Sequence, residues 1–207
     1  MHRRMTSRRR SATTATVFTA LLAALVAAPA AAATYSLANG QVSIVFSWNH
    51  AGLSRNSGRI VGVDGVLEFE PTQADASRLE VSIDPARIST GVTALDRLLR
   101  SADFFDAAAN PAIAFRSTSI TATGERTGEV TGDLTIRGVM RPVTLAVTWN
   151  FTGEHPLGLV NPSFAGKFVS GFSATGRLLR SEWGLGQGAP LISDEVQIAI
   201  EAEVVRR

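Results

Sequence analysis

From Val42 to His50 the chain sets Val42, Ile44, Phe46, Trp48 and His50 on one side and Ser43, Val45, Ser47 and Asn49 on the other. Successive side chains of a strand point to opposite faces of its sheet, so a two-residue period with one large apolar face reads as a strand. Similar runs recur over 58–70, 77–87, 112–122, 126–137, 142–151, 167–175 and 194–205, the last with Val196, Ile198, Ile200 and Ala202 on one face. Eight strands are therefore predicted. Gaps such as Thr123-Gly124-Glu125 and Gly138 to Arg141 suit hairpins and are too short for the crossover that parallel strands need. The expected sheet is an antiparallel meander. Eight such strands can close into a barrel with no free edge and an interior just wide enough for packed side chains or one narrow ligand. A two-sheet sandwich satisfies the same periodicity.

The alternation breaks between Ser89 and Ser117. Thr93 with Asp96 three residues on has the spacing of a capping box, Asp96 and Arg100 stand four apart on one helix face, and Leu95, Leu98, Leu99 and Ala102 form an apolar stripe. A short amphipathic helix is predicted there. Asp103 and Asp106 flank Phe104 and Phe105 in a way that fits caps and turns better than a general acid and base.

The run D-x-x-L-R-S-x-D-F-F-D from Asp96, followed by N-P-x-I-x-F-x-S from Asn110, resembles the central motif of the YceI-like family, periplasmic lipocalin-like proteins that bind polyisoprenoids. The resemblance extends to Phe46–Arg59, Thr131–Leu145 and Arg180–Leu185, and so covers nearly all of residues 34–207. Two positions depart from it: Leu98 stands where the family usually has His, and Ile60 where Phe is common. The resemblance implies an all-β fold with a short helical insertion, an eight-stranded antiparallel lipocalin-like barrel. It also implies a tunnel for a long isoprenoid lipid of quinone or polyprenyl type. Inward candidates from the alternation are Phe46, Trp48, Phe115, Leu145, Val147, Trp149, Phe172 and Ile198, with Leu95, Leu99, Phe104 and Phe105 added by the insertion near one end. Large apolar residues are mostly buried in any protein, so these positions alone fit a filled core equally well. Under the resemblance they line the tunnel; Trp183 from the late loop joins the candidates, and so does His50, which reads either as a hydrogen-bonded barrel residue or as a polar contact for a head group.

The first 33 residues carry Arg3, Arg4, Arg8, Arg9 and Arg10 with no acid, then an Ala-rich apolar run from Val17 to Ala28, then Ala31-Ala32-Ala33. That order is a secretory signal peptide cleaved near residue 33, and its apolar run is shorter than the roughly 20 residues a spanning helix needs. Arg8-Arg9 leaves both the general and the twin-Arg export routes open. With the leader removed, 15 of the 20 basic residues face 18 acidic ones, a net charge of −3. A nucleic-acid binder needs a basic face to release phosphate counterions, so that class loses its support. The chain has no Cys, which excludes disulfides, thiol catalysis, Cys-ligated metal and lipid attachment at Cys. One periplasmic domain over 34–207 is expected, without stable membrane insertion; a homodimer stays open.

Beyond the leader the histidines are His50 and His155, far apart and without metal-site spacing. No metal and no cofactor are expected. His50 with Ser54 lacks a G-x-S-x-G elbow, and Gly184-Leu185-Gly186-Gln187-Gly188 lacks the Lys and Ser/Thr of a phosphate loop. Arg180 either pairs with an internal acid or stands solvated. Binding is the expected activity. An enzyme acting on an apolar substrate and a partner-binding module of a membrane redox system are the rival classes, and an apolar cavity discriminates among them.

Overall fold

A computed structural model describes residues 32–207; the leader read over residues 1–33 lies outside them except for Ala32 and Ala33. The strands are β1 (Ala33–His50), β2 (Ser54–Ile60), β3 (Val63–Phe69), β4 (Arg78–Ile83), β5 (Ile88–Ser89), β6 (Ile113–Ala122), β7 (Thr127–Ile136), β8 (Val139–Glu154), β9 (Phe168–Leu179) and β10 (Glu195–Arg206), with helix α1 (Thr93–Arg100) between β5 and β6. Neighbours run β10-β9-β8-β7-β6-β4-β3-β1, and β1 pairs back onto β10. The result is a closed eight-stranded antiparallel barrel with one helix, as the alternation and the resemblance together predict. Strands β2 and β5 are additions at one end, β2 paired to β1 and β5 to β2.

The strand boundaries differ from the periodic reading in informative ways. The run taken as one strand over 58–70 is two, because the chain turns at Val61-Gly62 and Gly62 has φ +70°, a left-handed conformation that glycine adopts without a Cβ clash. Strand β1 also starts nine residues earlier than its clean alternation, and its ladder with β10 is irregular: Ser36 pairs with Val205 and Gln41 with Glu203. That shift lets Leu37 and Val42, an odd number of residues apart, both face the interior. Between β7 and β8 the turn is only Arg137-Gly138, both with positive φ, the two-residue hairpin geometry whose twist matches the flanking strands. Val139, Met140 and Arg141 therefore belong to β8 rather than to a loop.

The barrel has two unlike ends. At the turn end lie the β6–β7 turn, the β3–β4 connection and the long β8–β9 loop. The helix end carries α1, the β1–β2 and β7–β8 hairpins and the β9–β10 loop. Here β1 leaves β3, with which it pairs only over Ala33–Ser36, and takes β2 as its neighbour over Ile44–His50. Helix α1 then follows β5, with Leu99 buried in the core and Leu95 packed against it. No helix among the described residues is long and apolar enough to cross a membrane.

Candidate functional site: an apolar bore

The barrel is hollow. Its interior holds a cavity of about 420 Å³ lined almost wholly by carbon. Midway along it, Leu145, Val147, Phe172, Ala174, Ile198 and Ile200 line the space and are only half-buried. In a filled core such inward positions would leave no room even for water, as close packing leaves few voids larger than a water molecule. Glycines help to shape the wall. Gly58 pairs with Phe46, and a Cβ there would overlap the Phe46 ring; Gly132 likewise makes room for Phe115.

Of the residues expected to line a tunnel, Phe46, Trp48, Leu95, Leu99, Phe104, Phe105, Phe115, Leu145, Val147, Trp149, Phe172, Trp183 and Ile198 all border this cavity. His50 does not. It is exposed at the rim beside the β1–β2 hairpin and lies outside the lining, because strand alternation carries no information about where the barrel wall ends. The Ser54 hydroxyl, drawn as a nucleophile beside it, donates instead to Asn56 Oδ1 at 3.2 Å.

At the helix end the lining is closed by protein. Trp183 is 2% exposed, and its indole N–H donates to the Leu134 carbonyl at 3.1 Å, which satisfies the polar edge of a buried ring. Phe46 stacks on Trp48 with centroids 5.7 Å apart. Arg180, left between an ion pair and solvent by the sequence, does neither as its main role. Its Nε donates to Ser193 O at 2.9 Å, Nη1 to Leu185 O and Gln187 O, and Nη2 to Ile192 O at 2.8 Å. Four of its five N–H groups thus hold the β9–β10 loop. Burial lowers the Arg180 pKa, and Asp194 opposes that shift.

The cap of α1 also corrects the sequence reading. Val92 is the N-cap and supplies no side-chain hydrogen bond. Asp96 does not pair with Arg100 but reaches back to accept from Thr90 N–H at 2.6 Å and the Thr90 hydroxyl at 2.7 Å. Those bonds, the hydroxyl first, hold its carboxyl below the usual value. Arg100 turns to the Ile88 carbonyl at 2.6 Å. The helix stops at Arg100, so Ala102 lies beyond it, and Leu98 is 43% exposed at the cavity's edge.

At the turn end the cavity meets solvent. Among its lining residues, those that stay exposed are Pro71, Thr121, Ala122, Gly124, Glu125, Arg126 and Thr127 here, against Leu98 alone at the helix end. Beneath this mouth Phe69 stands edge-on to both Trp149 and Phe172, with centroids 5.4 and 5.2 Å apart. The Trp149 indole N–H is anchored on Thr152 Oγ1 at 2.8 Å and Phe151 O at 3.0 Å. Glu70, 5% exposed, accepts through Oε1 from the Thr72 hydroxyl at 2.6 Å and from Thr72 N–H, bonds that keep its carboxyl below the ordinary range, hydroxyl first. Glu70 and Arg126 were missed by the sequence reading: they stand at the extreme ends of the runs 58–70 and 126–137, just outside β3 and β7, and only the closure of the barrel brings the two connections to one opening.

A hollow, apolar, closed antiparallel barrel is the class of protein these features define. The YceI-like domain model matches residues 35–204, and the chain belongs to the YceI-like family. It is 31% identical to a UPF0312 protein of Azotobacter vinelandii over 169 residues, 81% of this chain and 84% of that one. It is 34% identical to a UPF0312 protein of Pseudomonas putida strain W619 over 176 residues, 83% and 87% of the two chains. Among solved structures it superposes on Burkholderia cenocepacia BcnA with TM-score 0.67 at 25% identity, covering 82% of this chain and 98% of BcnA. A polyisoprenoid binding domain from Saccharophagus degradans shares the fold at TM-score 0.58 and 13% identity, covering 85% of this chain and 99% of that domain.

Proposed function

We propose that the mature chain is a periplasmic binding and carrier protein that takes one long isoprenoid lipid, of quinone or polyprenyl type, out of water. The observation that carries this reading is the cavity: about 420 Å³, inside the range of roughly 300–1,000 Å³ usual for small-molecule sites, and apolar along its length. Each CH₂ moved into it gains on the order of 0.8 kcal/mol, less the cost of ordering a flexible chain and of association. The polyisoprenoid binding named for the Saccharophagus degradans domain supports the ligand class. The basic, then apolar, then small-residue leader supports export, with residues 34–207 as the mature domain. Binding rather than catalysis is supported by the lining, which is hydrocarbon over nearly all of its surface. A module that only docked partners would gain nothing from a hollow interior.

The test is organic extraction and mass spectrometry of the native protein purified from its periplasm. A stoichiometric isoprenoid lipid is expected; lipid-free protein, or one holding only straight-chain acyl lipid, overturns the reading. In a second test, Ala174→Trp fills the bore at mid-height, and retained lipid is expected to vanish while the melting temperature changes little.

A further inference from the structure

We infer that the lipid enters tail-first and that Arg126, at the β6–β7 turn, holds an uncharged head group bearing carbonyl or hydroxyl oxygens; this rests on the proposed lipid-binding role. Two arginines line the cavity, one at each end. Arg180 has little left to offer, with four N–H groups on loop carbonyls. Arg126 engages one among the described residues, Nη1 to Asn150 O at 3.1 Å, and forms no ion pair there. It is nonetheless held in place: its guanidinium carbon lies 5.7 Å from the centre of the Trp149 ring, and its own carbonyl accepts from Trp149 N–H at 2.7 Å. A guanidinium held over an indole face by cation–π attraction keeps N–H groups free for an acceptor.

The surroundings choose the charge of that acceptor. Glu125 adjoins Arg126 in the chain, and Glu70 borders the same cavity with Oε2 free of hydrogen bonds among the described residues. Two carboxylates against one guanidinium repel a phosphate head and leave a neutral oxygen as the fitting partner. The Phe69, Trp149 and Phe172 rings directly below offer an apolar seat to the ring or first isoprene unit attached to such a head. At the opposite end the lining offers only hydrocarbon and a satisfied Arg180, the surroundings a tail requires.

The experiment compares three probes of equal chain length on the purified mature protein: an isoprenoid quinone, a prenyl phosphate and the unsubstituted isoprenoid hydrocarbon. Dissociation constants are read from tryptophan fluorescence. The wild type is expected to prefer the quinone, and Arg126→Met, which keeps the stem over Trp149 but removes the donors, should weaken quinone binding about tenfold and leave the hydrocarbon unchanged. Glu125→Gln should improve phosphate binding. Quinone quenching should disappear in Trp149→Phe and persist in Trp48→Phe. Equal weakening of all three probes by Arg126→Met, phosphate as the preferred ligand of the wild type, or quenching lost in Trp48→Phe instead, overturns the assignment. Failure of even the hydrocarbon to bind the wild type overturns the lipid-binding role beneath it.

Discussion

Arg180 and Arg126 border one cavity from opposite ends and are put to opposite uses. Around Arg180 the β9–β10 loop turns four carbonyls inward, so the cation becomes a strut. Arg126 sits on a short turn with one carbonyl in reach and an indole below it, so most of its donors stay available. What differs is the backbone each side chain meets: a long loop can fold its carbonyls around a cation, and a tight hairpin cannot. The helix end is accordingly built for closure, with Trp183, Leu99, Phe104 and Phe105, and the turn end for access.

The sharpest break of this contrast is Trp183→Ala. Removing a ring 2% exposed should cost about 3–5 kcal/mol in urea denaturation; a loss under about 1 kcal/mol would show that the helix end does not depend on its closure. Next comes Arg180→Met, which strands the carbonyls of Leu185, Gln187, Ile192 and Ser193 and should cost about 1–3 kcal/mol, with faster amide exchange confined to the β9–β10 loop. Exchange that rises evenly round the barrel would deny Arg180 its local role.

Acid should loosen the helix end as well. Asp96 and Asp194 are both held below their ordinary value of 3.8, by Thr90 and Ser181 respectively. A carboxyl with a depressed folded-state pKa stabilises the fold above its unfolded value, and that contribution is lost as the pH falls through the folded one. Melting temperatures of wild type and Asp96→Asn should therefore differ at neutral pH and converge as the pH drops below 3.8; a constant gap would remove the ionised carboxylate from the cap of α1. The smallest effect belongs to the turn end. Arg126→Met should change stability by no more than about 0.5 kcal/mol, and a larger loss would make Arg126 a strut like Arg180.

Much of the barrel was legible in the chain because strand period is a local property. The faces of β7, β8, β9 and β10 follow directly from alternation, and most of the expected lining residues stand where that alternation puts them. The misreadings have two sources. The division at Val61-Gly62 and the early start of β8 turn on left-handed backbone at Gly62, Arg137 and Gly138, whereas the phase change between Leu37 and Val42 and the placement of His50 beyond the wall depend on which strand lies alongside. The helix was legible from its leucine spacing, yet its cap was not, since Asp96 answers to Thr90 in the preceding loop instead of to Arg100 one turn on.

By itself the sequence determined the class of structure, antiparallel β with one amphipathic helix, and the apolar character of the inward face, for both are written in residues two to four apart. Tertiary structure alone decided that the ring closes around empty space, that the space opens at the β6–β7 turn, and that Arg126 rather than Arg180 has donors to give. Those outcomes depend on the summed volume of side chains meeting from eight strands and on where distant carbonyls come to rest, and no short stretch of chain encodes either.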